Sequence, residues 1–159
     1  MTAIALGVIA AVLAVISIVL AFLVTSQRDD RRRVDEARDA ALTAGRQLII
    51  NLDALSAATI DADMKRVADG ATGTFSRQFT GSEAELKKYV VARRTVSTGE
   101  ILSAGVVRSD SDTATILVAV DRTVKDTTNT GGVVAHDRWK LNLEKHGGRW
   151  LVADLEPVS

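Results

Sequence analysis

The stretch "WKLNLEKHGGRWLVADLEPVS", residues 139–159, decides how the chain folds at its C-terminal end. From Trp139 to Glu144, apolar and polar residues alternate, a period of two that is typical of a strand with one apolar and one solvated face. Gly147 and Gly148 favour the positive φ angles of a tight turn. Residues 150–155 then run back as a second strand. This pattern predicts a β-hairpin.

Three more segments upstream complete the predicted sheet. Residues 100–110 and 113–124 are rich in small and β-branched residues, and the second segment alternates clearly. The polar stretch 125–132, "KDTTNTGG", predicts a loop before a strand at 133–145. These strands are longer than the usual length of about 5–6 residues, so we expect the sheet to bend and twist.

Helical periodicity precedes the strands. Apolar residues recur at spacings of three and four along residues 34–55, which predicts a stalk helix with the stripe Val34, Ala37, Ala41, Ala44, Leu48, Leu52 and Leu55. Asp61 is expected to cap a short helix that ends at Gly70. Ser82 and Glu85 form a capping box that predicts a third helix to Arg94. Helices followed by strands indicate an α+β fold in which about three helices pack on a curved four-stranded antiparallel sheet.

Five side chains in the helical region are expected to point inward. Phe75 and Phe79 are predicted core contacts, and Tyr89 and Val90 are expected to face the sheet together with Leu86. The stretch "DGATGTFSRQFTG" lacks the Lys-Ser/Thr ending of a phosphate loop and follows a helix, so no nucleotide site is expected there.

The chain begins with an apolar segment. Residues 3–24 carry Ser17 as their only polar side chain, and as a helix they would reach about 33 Å, close to the hydrocarbon thickness of a bilayer. The apolar run is longer than the core of a cleaved signal peptide and has no basic start, so we predict an uncleaved membrane anchor over residues 1–27.

Two features of this anchor are candidate contact sites. Small residues form a stripe that allows close helix packing, namely Ala3, Gly7, Ala11 and Ala14. Four arginines follow the span and are expected to contact lipid headgroups, namely Arg28, Arg31, Arg32 and Arg33. The domain boundaries predicted from these patterns are 1–27 for the anchor, 28–56 for the basic segment and stalk, and 57–159 for the α+β domain.

Composition excludes several classes of function. Lysine plus arginine equals aspartate plus glutamate, at 20 each, so no overall charge favours nucleic acid as a partner. The chain has no cysteine and only two histidines, which excludes disulfides and thiolate chemistry and disfavours a zinc site. No cofactor or metal is expected.

The order of these motifs resembles the Mce-associated membrane proteins of mycobacteria and related actinobacteria. The resemblance covers nearly the whole chain and rests on the single span, "ARDAALTAGRQLIINLDAL", "DADMKRVADGATGTFSRQF", "VSTGEILSAGVV" and "GGRWLVADLEPV". It implies an NTF2-like cone and a role as accessory or stabilising subunit of an Mce-type importer of fatty acids or sterols. Its implied partners are permease or substrate-binding subunits, the bilayer and lipid cargo. Assembly factors of type IV secretion are similar in plan, so a secretion role stays an alternative.

The side of the membrane is a separate question. The arginines after the span, taken alone, favour a cytoplasmic C-terminal domain. The resemblance implies instead a domain on the outer (periplasmic) side of the cytoplasmic membrane. We take the second expectation, because family members usually carry a cytoplasmic tail before the span, and a missing tail would remove the charges that the rule counts.

An enzyme of the ketosteroid-isomerase type would need ionisable groups that point into the cone. Asp137, Asp154 and Tyr89 are the candidates by strand or helix phase, whereas His136 and His146 are expected at the solvated face and in the turn. No partner is evident for any of them, so no catalytic site and no enzyme activity are expected.

Trp139 and Trp150 are the remaining candidates. As large aromatic groups on paired strands, they are expected to fill the core or the mouth of the cone, or to contact a partner or an acyl chain. We therefore predict a non-enzymatic, membrane-anchored subunit, with a lipid-binding carrier as a further alternative.

Overall fold

The computed structural model describes residues 32–158. The predicted span, its small-residue stripe, Arg28 and Arg31 lie outside the described residues. Within residues 32–158 no helix is long and apolar enough to cross a membrane. Residues from Ala37 onward form one compact unit.

Three helices precede the sheet. Helix α1 is described over residues 32–53, α2 spans Ile60–Asp69 and α3 spans Gly73–Arg93. The stripe predicted along α1 is largely confirmed, since Ala37, Ala41 and Leu48 are buried, whereas Val34 is exposed. The stripe omitted Ile49, which is fully buried.

Two predicted helix starts are wrong. The N-cap position of α2 is Thr59, whose hydroxyl donates to the buried Asp63 carboxylate at 2.9 Å. The same carboxylate oxygen accepts the Ser56 backbone N–H at 2.9 Å. Asp61 therefore lies in the first turn. Ser82 lies in the middle of α3, and its hydroxyl bonds back to the carbonyl of Gln78 at 3.1 Å.

Four antiparallel strands form one sheet in the order β1-β2-β3-β4. The strands are β1 (Val96–Ser109), β2 (Thr113–Lys125), β3 (Val133–His146) and β4 (Arg149–Pro157). The predicted strands and the α+β class are thus confirmed. The predicted hairpin is confirmed as well, with Gly147 and Gly148 at φ values of 56° and 85°, both positive as a two-residue turn requires.

The core lies between the helices and the inner face of the sheet. Ile116, Val118 and Val120 on β2 face the helices, as do Leu141 and Leu143 on β3. Phe75 and Phe79 are buried against this layer, as predicted, whereas Tyr89 is 52% exposed and its predicted inward position is wrong. Each fully buried aliphatic side chain stabilises the fold by about 1.5–3 kcal/mol.

Strand β4 departs from the predicted alternation. Leu143 is opposite Val152 and Asn142 is opposite Asp154, so Ala153 is an extra residue that forms a bulge. Beyond it the phase reverses, so that Leu155 pairs with Leu141 on the inner face. A strict period of two over residues 150–155 predicts Leu151, Ala153 and Leu155 on one face. That prediction is wrong, because the bulge puts Leu151 and Leu155 on opposite faces.

Candidate functional site

Three ionisable side chains meet at one end of the inner face of the sheet. Asp53 ends α1, Arg122 lies on β2 and Asp137 lies on β3. The Arg122 guanidinium donates to Asp137 Oδ2 at 3.2 Å and lies 3.5 Å from Asp53 Oδ1. A Cβ at Gly99, which is opposite Arg122 on β1, would lie 2.6 Å from the Asp53 Cβ. Glycine at this position is what lets α1 approach the sheet here.

Asp53 is the unusual member of this cluster. Its side chain is almost fully buried, and its Oδ2 atom has no hydrogen-bond partner among the described residues. Burial raises the pKa of Asp53 to about 6, against the attraction of Arg122 and with a further contribution from the negative charge of Asp137. One guanidinium, that of Arg122, thus lies beside two carboxylates. The more buried carboxylate, Asp53, stays protonated up to mildly acidic pH.

This cluster has the pKa of a general base but not the access that a base needs. Asp53 is only 3% exposed and is packed against Gly99, whereas a base must come within hydrogen-bond distance of a substrate proton. Asp137 is inward-facing, as expected, and the partner that sequence reasoning did not find for it is Arg122. A charged residue at the end of the buried α1 stripe, next to Ile49 and Leu52, was the signal that could have pointed to Asp53.

The other catalytic candidates do not join this cluster. Tyr89 is on the exposed side of α3 under the guanidinium of Arg93, which lies 5.4 Å from the ring centroid. His136 is exposed and lies 2.6 Å from Asp121 Oδ1, and His146 is next to the β3–β4 turn. Asp154 pairs with Asn142 on the outer face. Within residues 32–158 no group of acidic or histidine side chains is arranged to hold a metal ion.

The two tryptophans lie on the inner side of the sheet. Trp150 is buried, with the ammonium of Lys145 at 5.9 Å from its ring. Trp139 is half-buried beside Val118. The indole N–H groups of both are buried without a partner among the described residues. Arg32 and Arg33, the two described members of the predicted headgroup cluster, are exposed on α1.

The outer face of the sheet carries an open groove lined mainly by apolar atoms. A groove of about 290 Å³ lies there over β1, β2 and β3, with Gly105, Leu117, Ala119, Arg138 and Val158 among its lining residues. Leu117 is exposed, and a Cβ at Gly105 would meet open space. Small residues form the floor, and no helix within residues 32–158 covers this face. Such an uncovered apolar surface is typical of a contact site for another protein.

Comparisons with known proteins identify a family and a fold. The family model described as "Uncharacterized protein Rv1363c/MT1408-like" matches residues 1–158. A protein of Mycobacterium tuberculosis described as "Uncharacterized protein Rv1363c" is 30% identical over 127 residues, which cover 77% of this chain and 48% of the relative. The chain thus spans about half the length of that relative.

Solved structures share the fold at low identity. The periplasmic domain of DotI superposes with a TM-score of 0.63 at 9% identity, over 76% of this chain and 94% of that one. CagV of Helicobacter pylori, a VirB8 homologue of a type IV secretion system, superposes with a TM-score of 0.59 at 11% identity, over 76% and 98%. These similarities establish the architecture of helices against a four-stranded sheet.

Proposed function

The chain belongs to the Rv1363c/MT1408-like family, and on that premise we propose that it is a non-enzymatic, membrane-tethered assembly subunit that binds protein partners outside the cytoplasmic membrane. One observation carries this proposal. The inner face of the sheet is filled by the protein's own side chains, whereas the outer face presents an open apolar groove.

The filled inner face argues against a carrier of lipid inside the cone. Such a carrier needs a void of roughly 300–1,000 Å³. Ile116, Val118 and Val120 occupy that side of β2, Leu141 and Leu143 that of β3, and all five are at most 2% exposed. Ile116 and Leu141 pack directly against α1, where a Cβ at Gly45 would lie 2.1 Å from the Ile116 Cδ1 atom. A ligand could enter the space beside Ile116 only if α1 moved away from the sheet.

The identity of the partner machine has two candidates. The structures that share this fold include a homologue of a type IV secretion system component and a periplasmic domain, which supports an assembly role of the secretion kind. The order of motifs in the sequence resembles Mce-associated proteins, which favours subunits of a lipid importer as the second candidate. Both candidates share one physical requirement, a sheet face that binds a neighbouring subunit beside the membrane.

Site-specific photo-crosslinking of the full-length chain in mycobacterial cells tests the proposal. A photoreactive residue at Leu117, in the groove, should yield a discrete crosslinked product with another membrane-complex subunit. A matched probe at Glu85, exposed on α3, should yield much less. Mass spectrometry of the product decides between the two machines. Equal products from both positions, or only uncrosslinked chain from Leu117, would overturn the proposal.

The side of the membrane needs its own measurement. Thr130 is exposed in the β2–β3 loop, and the chain has no cysteine, so Thr130→Cys introduces a single thiol. A membrane-impermeant maleimide should label this thiol on intact spheroplasts as fully as after lysis. Labelling that appears only after lysis would place the domain in the cytoplasm and contradict this part of the proposal.

A further inference from the structure

Strand β1 is the open edge of the sheet. The other edge, β4, is covered in its middle, because Thr72 donates its N–H to the Val152 carbonyl at 2.8 Å and Val152 donates to the Gly70 carbonyl at 2.9 Å. On β1 only the start is covered, where Ser97 donates its N–H to the Leu55 carbonyl at 2.8 Å. From residue 98 to residue 109, no other segment of the described chain pairs with this edge.

The free hydrogen-bonding groups of β1 can be assigned from the register. Ser97 points its N–H away from β2, and backbone groups of alternate residues point the same way, so Gly99 and Ile101 do too. Ile101 is opposite Val120 and Ala104 is opposite Val118. Val118 and Val120 are two residues apart on β2, so Ile101 and Ala104 have the same orientation relative to that strand. Ala104 therefore also presents its N–H and C=O on the free side, near the middle of the strand.

The charges on β1 are arranged symmetrically about Ala104. Glu100 and Arg108 lie four residues before and after it, both exposed and both on the outer face. Within residues 32–158 neither forms an ion pair. Glu100 is instead opposite Asp121 on β2, and like charges at directly opposed positions are destabilising. Neither Glu100 nor Arg108 therefore has an opposite charge facing it on β2.

We propose that β1 pairs antiparallel with β1 of a second copy of the chain, about a two-fold axis at Ala104. Directly opposed residues in an antiparallel pair share a face, so Glu100 of each copy would lie opposite Arg108 of the other. The contact is isologous and closes after two copies. This symmetry of charge favours a second copy over an unrelated peptide as the occupant of the edge.

Two bulges limit the length of this pairing. Leu102 and Val107 are the extra residues on β1, and they are 58% and 63% exposed. Bulges normally protect an edge by interrupting its ladder, which leaves residues 103–106 as the regular segment around Ala104. The bulged side chains flank that segment and would cover its ends with apolar surface in the pair.

So short a contact is expected to be weak in free solution. A stable interface usually buries more than about 1,000 Å² in total, and a few paired residues bury less. Chains tethered in one membrane have a much higher effective concentration. The pairing therefore rests on the tether in the proposed function, but not on which partner binds the outer face.

Crosslinking of the full-length chain in native membranes tests the pairing. The two Ser103 residues would be diagonal neighbours across the axis, about 7–8 Å apart, so Ser103→Cys should be joined into a dimer by a short bis-maleimide. Glu85→Cys on α3 is the control and should stay monomeric. Glu100→Arg and Arg108→Glu should each reduce the dimer at least threefold, and the double variant should restore it.

Three outcomes would overturn the pairing: equal dimer yields from both cysteines, single charge reversals without effect, or a double variant that is not restored. The restored double variant also shows that the single variants fold. Absence of the dimer from the Ser103→Cys chain without charge reversals, with the Leu117 crosslink present, would refute the pairing and leave the assembly function standing. Absence of the Leu117 product with the dimer present would refute the assembly function and leave the pairing standing.

Discussion

Replacement of Asp53 by asparagine should change how stability depends on pH. Asp53 has a pKa of about 6 in the folded protein, because burial penalises its charged form, and an ordinary value of 3.8 once unfolded. A carboxyl group with a raised pKa contributes stability that is fully present below the unfolded value. That stability is lost as the pH rises through the folded value.

The magnitude follows from the two pKa values. At about 1.36 kcal/mol per pH unit, ionisation of Asp53 removes up to about 3 kcal/mol from the free energy of unfolding between pH 4 and pH 7. Asparagine keeps the shape of the side chain and cannot ionise. The stability of Asp53→Asn relative to wild type should therefore rise by up to about 3 kcal/mol over this range.

Two other carboxylates with shifted pKa values, Asp126 and Glu156, affect the stability of Asp53→Asn and of the wild type alike. Hydrogen bonds from Thr128 and the Arg93 guanidinium lower the pKa of Asp126, and Lys140 lowers the pKa of Glu156. A carboxylate with a lowered pKa contributes stability that is lost as the pH falls into a more acidic range. That loss is the same in Asp53→Asn and in the wild type. The difference between variant and wild type therefore reports on Asp53 and the two groups beside it, Arg122 and Asp137.

Thermal unfolding of the full-length chain, followed by tryptophan fluorescence between pH 4 and pH 8, measures this difference. For a domain of this size, 3 kcal/mol corresponds to a change in Tm of the order of 10 °C. Asp39→Asn, on the exposed face of α1, is the matched control and should show no such trend. A Tm difference between Asp53→Asn and wild type that is constant, or that falls with rising pH, would refute the assignment.

Three further variants test the packing. Gly45→Ala should destabilise the fold by about 1–2 kcal/mol in chemical unfolding, because the clash with the buried Ile116 side chain outweighs the better helix propensity; an increase in stability would contradict the close approach. Asp63→Ala should lower the free energy of unfolding by about 1–3 kcal/mol, since the Ser56 N–H loses its acceptor. Amide exchange at Ser56 should increase; unchanged exchange would show that the Asp63 hydrogen bond to this N–H is dispensable. Gly73→Ala should lower Tm by several degrees, because Gly73 has a φ of 55° and its Cβ would lie 2.9 Å from the Ala153 carbonyl oxygen; an unaltered Tm would argue against strain at this position.

The sequence correctly predicted which side chains face the core on the two strands that have a neighbouring strand on each side. On β2 and β3 the period of two correctly assigned the inner face, because a regular ladder on both sides keeps the pleat in register. It failed on β4 at Ala153, where a bulge inserts one residue. Bulges at Leu102 and Val107 on β1 were missed for the same reason. A bulge has no residue signature in this chain, since its position is set by the neighbouring strand.

Helix starts were less predictable because tertiary contacts override local caps. The capping box at Ser82 is a genuine local pattern, yet α3 begins at Gly73, where the chain leaves the edge of β4. Phe75 and Phe79 need helical spacing in that first part to reach the core. Their burial outweighs a cap worth about 1 kcal/mol. In the carboxylate cluster, Arg122 could not be assigned to Asp53 because only the packing of α1 on the sheet brings them together.

The free edge and the outer groove are separate surfaces that one arrangement would join. Antiparallel pairing of β1 with a second copy continues the sheet from four strands to eight and places both outer faces on the same side. The grooves at Leu117 would then lie on either side of the Ala104 axis, and a subunit bound there could contact both copies. If the two contacts cooperate in this way, Glu100→Arg should reduce the Leu117 crosslink as well as the dimer, and the double charge reversal should recover both. A Leu117 crosslink that is indifferent to the charge reversals would show that the partner binds one copy at a time, on the face of a single sheet.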